Sequence, residues 1–128
     1  MKIEETYLRW FRQAEADYDS AEYNLKGKRY YVCANYSQQA AEKALKALWI
    51  FKKKELIKTH SITSLARKLN VPEKLIFGIS SLEPIFRESR YPDVSEKIPA
   101  EEYEEKDAIE FLNIAEEVLI WVKNQMKQ

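Results

Sequence analysis

Small and apolar residues return every three or four positions along most of the chain, a spacing that predicts helices joined by few breaks. From about Glu4 to Lys26, one face collects Tyr7, Trp10, Ala14, Asp17, Ala21 and Leu25. From about Tyr30 to Lys53, the residues Ala34, Ser37, Ala41, Ala44, Leu48 and Phe51 make a near-heptad seam, which Cys33, Ala40 and Ala47 widen. Alanine lets a neighbouring helix approach toward the low end of the roughly 8–10 Å range of axis separations. The second helix is therefore expected at the centre of a tight bundle. Ser61 is placed to cap a short helix carrying Ile62, Leu65, Ala66 and Leu69, which Asn70 closes. Pro72 suits the first position of the next helix, whose Leu75, Ile76, Ile79 and Leu82 face the core until Pro84 bends or weakens it. Glu88 to Tyr103 reads as the longest irregular stretch, where function is most readily housed. The last helix starts between Ala100 and Glu104 and carries two apolar lines. One runs through Ala108, Leu112, Ala115, Leu119, Val122 and Met126, the other through Phe111, Ile114, Val118 and Trp121. A single core needs one line, so part of the second, with Phe11 and Tyr18, is expected to meet a second copy of the chain.

Composition narrows this to an all-α class. At 128 residues the chain suits one domain, here taken as 1–128, and two glycines with four prolines are too few for the turns of a β-domain. Twenty-one basic and 21 acidic residues give zero net charge, so no global field draws nucleic acid or an anionic membrane. Cys33, the only cysteine, excludes an intrachain disulfide and any multi-thiolate metal site, and fits a buried structural role in a reducing compartment. No uncharged run approaches the roughly 20 residues that span a bilayer. A cytoplasmic location without membrane contact is expected. Inside the first stripe, Asp17 needs a partner if buried, and Lys43 and Lys46 across the short connection are the nearest candidates, which makes it a structural ion-pair member rather than a catalyst.

Several segments together resemble the minimal HEPN domain of prokaryotic proteins. They are the Trp10 helix with Ala14, Asp17 and Ala21; Gln38-Gln39-Ala40-Ala41-Glu42-Lys43-Ala44-Leu45-Lys46-Ala47; His60-Ser61-Ile62; Arg90-Tyr91-Pro92-Asp93; and the Asp107-Ala108 helix ending near Trp121. Their order spans almost the whole chain. The resemblance implies an up-and-down four-helix bundle with a short additional helix, usually a homodimer. It also implies a toxin-antitoxin setting with a minimal nucleotidyltransferase as partner, proposed nucleotide binding, and metal-independent ribonuclease activity in many members.

The ribonuclease branch of that family uses an arginine followed, after about four to six intervening residues, by a histidine that activates a 2'-hydroxyl. Here the permitted positions after Arg87 hold Pro92, Asp93 and Val94, and those after Arg90 hold Ser95, Glu96 and Lys97. Upstream of His60, the only histidine, the same distances hold Lys53, Lys54 and Glu55. No catalytic residue is assigned on this basis. His60 is expected to hydrogen-bond backbone groups at a helix start, at the opposite end of the bundle from Arg90 and tens of ångströms away at about 1.5 Å per helical residue.

Arg90, Tyr91 and Asp93 combine an anion-binding fork, a stacking ring and an acceptor on a proline-stiffened loop, and Arg87 precedes them. Lys26, Lys28 and Arg29 should lie at the same end and complete a modest basic pocket. The plainer account has Arg90 pinning the loop by pairing with Asp93 or Glu88. No glycine-rich phosphate loop, cofactor motif or metal-ligand spacing is present in the sequence. The reading is a non-catalytic module that binds a nucleotidyltransferase and nucleotide or RNA phosphate. Its alternatives are a divergent ribonuclease toxin, with Arg87, Arg90 and His60 meeting across a dimer, and a purely structural dimeric interaction protein.

Overall fold

Helices follow the apolar spacing closely in a computed structural model that describes residues 2–59 and 61–127. Among these residues there are seven helical segments and no strand: α1 (Ile3–Lys26), α2 (Tyr30–Lys53), α3 (Ile62–Lys68), α4 (Glu73–Leu82), α5 (Ile85–Glu88), α6 (Pro99–Glu102) and α7 (Glu105–Met126). Gly27 N–H and Arg29 N–H bond to the carbonyls of Tyr23 and Asn24 at 3.1 and 2.8 Å, and Lys28 turns the chain through a left-handed conformation (φ 61°). α2 likewise stops at left-handed Lys54, whose N–H returns to Ile50 O.

Contacts between the ends fix the direction of each helix. The Tyr7 and Phe51 rings meet edge to face at 4.9 Å, so α1 runs antiparallel to α2. Tyr30 Oη donates to Glu105 and Cys33 lies against Ala108, so α7 starts beside the start of α2 and runs parallel to it. The segment α4–α5 returns along α2 until Asn35 Nδ2 donates to Ser89 Oγ at 2.9 Å. This is an up-and-down four-helix bundle in which α3 is the short additional helix. α2 touches every other helix and is the central element.

Alanine lets the helices close together, and Ala14, Ala21, Ala34, Ala40, Ala41, Ala44, Ala47, Ala108 and Ala115 have no exposed surface. One carboxylate sits in this alanine face. Asp17 accepts from Lys43 Nζ at 2.5 Å and from Gln13 Nε2 at 2.9 Å, while Lys46 turns instead to Glu42. Cys33 is fully buried with Sγ against Ala108 O. Burial pushes its thiol up to about 11, so it carries little thiolate at neutral pH.

The second apolar line of α7 is partly buried within the chain. Ile114 packs on Gly78 of α4, where an added Cβ would lie 3.3 Å from Ile114 Cγ1, and Phe111 meets the Tyr103 ring edge to face at 6.1 Å. Val118 is fully buried and Phe11 nearly so. Phe111, Ile114 and Trp121 pack against the core and stay partly exposed. As the sequence reading expects, Pro84 segments the third element, here into α4 and α5; two local features differ from it, the first being that the long irregular stretch contains the turn α6. Tyr103 is extended between α6 and α7 (φ −112°, ψ 138°), and Glu104 N–H donates to Asp107 Oδ2 at 2.9 Å, which delays the last helix to Glu105. No helix among the described residues is long and apolar enough to cross a membrane.

Candidate functional site

Four residues of α2, Gln38, Glu42, Lys46 and Ile50, recur at every fourth position and so line up along one side of the helix. Gln38 Nε2 donates to Glu42 Oε1 at 3.0 Å, and Lys46 Nζ donates to Glu42 Oε2 at 2.9 Å. Gln39 Nε2 in turn donates to the Gln38 carbonyl at 2.7 Å. This polar row floors a cleft of about 910 Å³, walled by Trp10 of α1 on one side and by Phe86 and Arg87 of α5 on the other. That volume falls within the roughly 300–1,000 Å³ typical of ligand pockets. Leu56, Ile57, Lys58 and Thr59, from the connection after α2, line it with Ile62 and Glu83.

Glu83 ties the connection to the body. Its carboxylate accepts from Ser61 Oγ at 2.9 Å and from Thr63 N–H at 3.0 Å, and Ser61 Oγ accepts from Ser64 N–H at 3.0 Å. A carboxylate at the start of α3 meets the positive end of that short helix and satisfies a donor that would otherwise lack a partner. The acids of the cleft are thus engaged. Its cations differ: Lys46 is paired and lies 5.6 Å from the Trp10 ring centroid, whereas Lys58 and Arg87 are exposed and form no ion pair among the described residues.

Arg90, an exposed residue, rests its guanidinium 4.2 Å from the centroid of Phe86 in a cation–π contact. It forms no ion pair with Asp93 or Glu88 among the described residues. The loop is held instead by Ser89, whose buried hydroxyl accepts from Asn35 and donates to Ile85 O at 2.6 Å. Beside this end, burial and the charge of Glu102 raise the pKa of Glu88, and burial raises that of Tyr103.

The folded protein therefore holds the Glu88 proton more tightly than the unfolded chain does. Ionisation costs stability as pH rises through the folded value, and below the ordinary glutamate range the cost vanishes. Glu88→Gln is expected to melt at a higher temperature than the parent at neutral pH, with the gap closing near about pH 3. Thermal melts at both pH values check this.

Residues 7–125 match the HEPN domain family. The chain belongs to that family. This HEPN chain is 32% identical over 133 residues to the Methanocaldococcus jannaschii protein named Putative toxin MJ1304, covering 93% of this chain and 87% of that one. The crystal structure of ST0689, an archaeal HEPN homologue, shares 38% identity with a TM-score of 0.81 and coverage of 98% of both chains. TT1696 from Thermus thermophilus shares 30% identity with a TM-score of 0.86, over 93% of this chain and 97% of that one.

Within the HEPN fold the residues singled out from the sequence divide into three groups. Arg87 lines the cleft, Arg90 covers a ring that lines it, and Tyr91 and Asp93 are exposed on the loop that follows. Lys26, Lys28 and Arg29 lie at the end of the bundle where α2 begins and are not among the cleft residues. Asp17 and Lys43 form a polar contact between α1 and α2, Lys46 pairs with Glu42 within α2 and lines the cleft, and His60 lies outside the described residues.

The separation expected of His60 and Arg90 turns on a residue outside the described ones, while Arg87 shares one cleft with Lys58 and Thr59. α4 and α5 are short, and the chain after α2 folds back beside them. Sequence reasoning passed over Trp10, Glu83, Phe86 and Lys58 as site residues. Only the four-residue interval of Gln38, Glu42 and Lys46 was a readable signal.

Proposed function

We infer that this HEPN chain is a toxin-type module that acts by binding, with Arg87, Arg90 and Tyr91 receiving the phosphates of a nucleotide or RNA. The observation that carries this is the Arg90 guanidinium, seated on Phe86, exposed, and without an ion pair among the described residues. A fork held in place by a ring has lost part of its conformational freedom before an anion arrives, which favours bidentate phosphate contact. Exposed Tyr91 beside it offers a face for a base. The name of the M. jannaschii relative supports a toxin setting, and the family resemblance supports a cytoplasmic homodimer with a minimal nucleotidyltransferase as partner.

Fluorescence anisotropy with a short single-stranded RNA tests the reading. Arg90→Ala is expected to weaken binding similarly across sequences and to reduce the salt slope by about one, as for a single lost phosphate contact. Unchanged affinity and slope would refute it. One observation favours the ribonuclease alternative, namely that Arg87 lines the same cleft as Lys58 and Thr59. Cleavage of a fluorogenic RNA by the parent chain, lost in both Arg87→Ala and His60→Ala, would replace the binding reading with that one.

A further inference from the structure

The interior of the cleft has a chemistry that phosphate binding on Arg90 does not use. Its acceptors are already engaged, with Glu42 taken by Gln38 and Lys46, Glu83 by Ser61 and Thr63, and the Gln38 carbonyl by Gln39. Its available donors are the charged ends of Lys58 and Arg87. Between them the walls are apolar, formed by Trp10, Ile50, Leu56, Ile57, Ile62 and Phe86, with Leu56 63% exposed although it faces the cavity.

This inventory discriminates among ligand classes. A nucleobase or sugar brings several N–H and O–H groups that would have to share Glu42, Glu83 and Gln38 with the protein donors already on them, which costs affinity. Three cations (Lys46, Lys58, Arg87) against two carboxylates (Glu42, Glu83) leave a single positive charge on the lining, enough for one anionic head and too little for a polyphosphate. Each of the two aromatic walls carries one cation, Lys46 on Trp10 and Arg90 on Phe86, and the rings add apolar surface to the sides of the cleft. We propose that the cleft binds a small amphiphilic monoanion, its apolar body against Ile50, Leu56 and Ile57 and its carboxylate-like head toward Lys58 and Arg87. This site shares Arg87 with the phosphate surface of the proposed function but not Arg90 or Tyr91, which are not among the cleft residues.

The test is displacement of anilinonaphthalene sulfonate from the full chain, itself an apolar monoanion. The competitors are decanoate, decanol, decyltrimethylammonium and AMP, each kept below its micellar range. Decanoate is expected to displace the dye, and decanol to need about tenfold more, since a charge-assisted contact is what it lacks. Lys58→Ala with Arg87→Ala should weaken decanoate by about tenfold and leave decanol unchanged, whereas Leu56→Asp should weaken both. All three substituted positions are exposed, and melting curves confirm that the variants fold. Displacement by decyltrimethylammonium or AMP at the concentrations that suffice for decanoate would overturn the proposal, as would indifference of decanoate to the two cation substitutions. The RNA experiment turns on Arg90, outside the cleft lining, so the two proposals fail separately.

Discussion

Lys43→Met is expected to destabilise the protein by about 3 kcal/mol, the low end of the range for breaking a buried ion pair by removing one partner. The cost arises at Asp17, whose side chain is 4% exposed against 25% for Lys43. Without the ammonium, a carboxylate stays inside an alanine-lined contact with one neutral donor, Gln13. Water at the lysine side and the Gln13 bond both soften the penalty, which is why the low end applies. For a chain of this size the loss corresponds to a fall of about 10 °C in melting temperature. Asp17→Asn in the same chain should recover much of it, because the amide keeps the shape and still accepts from Gln13 while the buried charge is gone. Urea melts of the two single variants and the double variant measure the coupling. Equal losses in Lys43→Met and the double variant would show that Asp17 draws no support from the lysine.

The helices were legible because local signals and tertiary packing agree over long stretches. In α2 the small residues, the absence of glycine and proline, and the terminal Lys52 and Lys53 all point to the same boundaries, and the observed Tyr30–Lys53 coincides with the expected range. Agreement ends where a distant contact outweighs the local preference. The run from Pro99 to Asp107 carries helix-start signals throughout, yet Tyr103 breaks it by placing its ring on Phe111. Nothing within a few residues of Tyr103 encodes that ring's destination.

The candidate site divides in the same way. Arg90, Tyr91 and Asp93 were recognisable because an exposed loop declares itself through proline and polar residues. The cleft is assembled from α1, α2, the connection after α2, the start of α3, the end of α4 and α5, and no single segment describes it. Zero net charge over the chain was a sound argument against a global field, but it is silent on the single positive charge left where those segments meet.

Ala47→Leu tests the claim that small side chains set the spacing of the bundle. Ala47 has no exposed surface and lies four residues after Lys43, so helical spacing puts it on the side of α2 that reaches α1. Ala14 lies three residues before Asp17 on the opposing helix, which runs the other way, and it too is fully buried. Ala47 is fully buried, so a leucine there is expected to push α1 outward or leave its rotamer. Overpacking of this kind costs about 1–3 kcal/mol, and the upper end is expected here because both helices are continuous through the contact. Displacing α1 also stretches the Asp17–Lys43 bond one turn away, so the substitution should be less than additive with Lys43→Met, the pair being already broken in that background. Ala47→Ser, which adds little volume, should cost much less. If leucine and serine destabilise equally, volume is not what fails, and the close approach of α1 to α2 does not depend on alanine at this position.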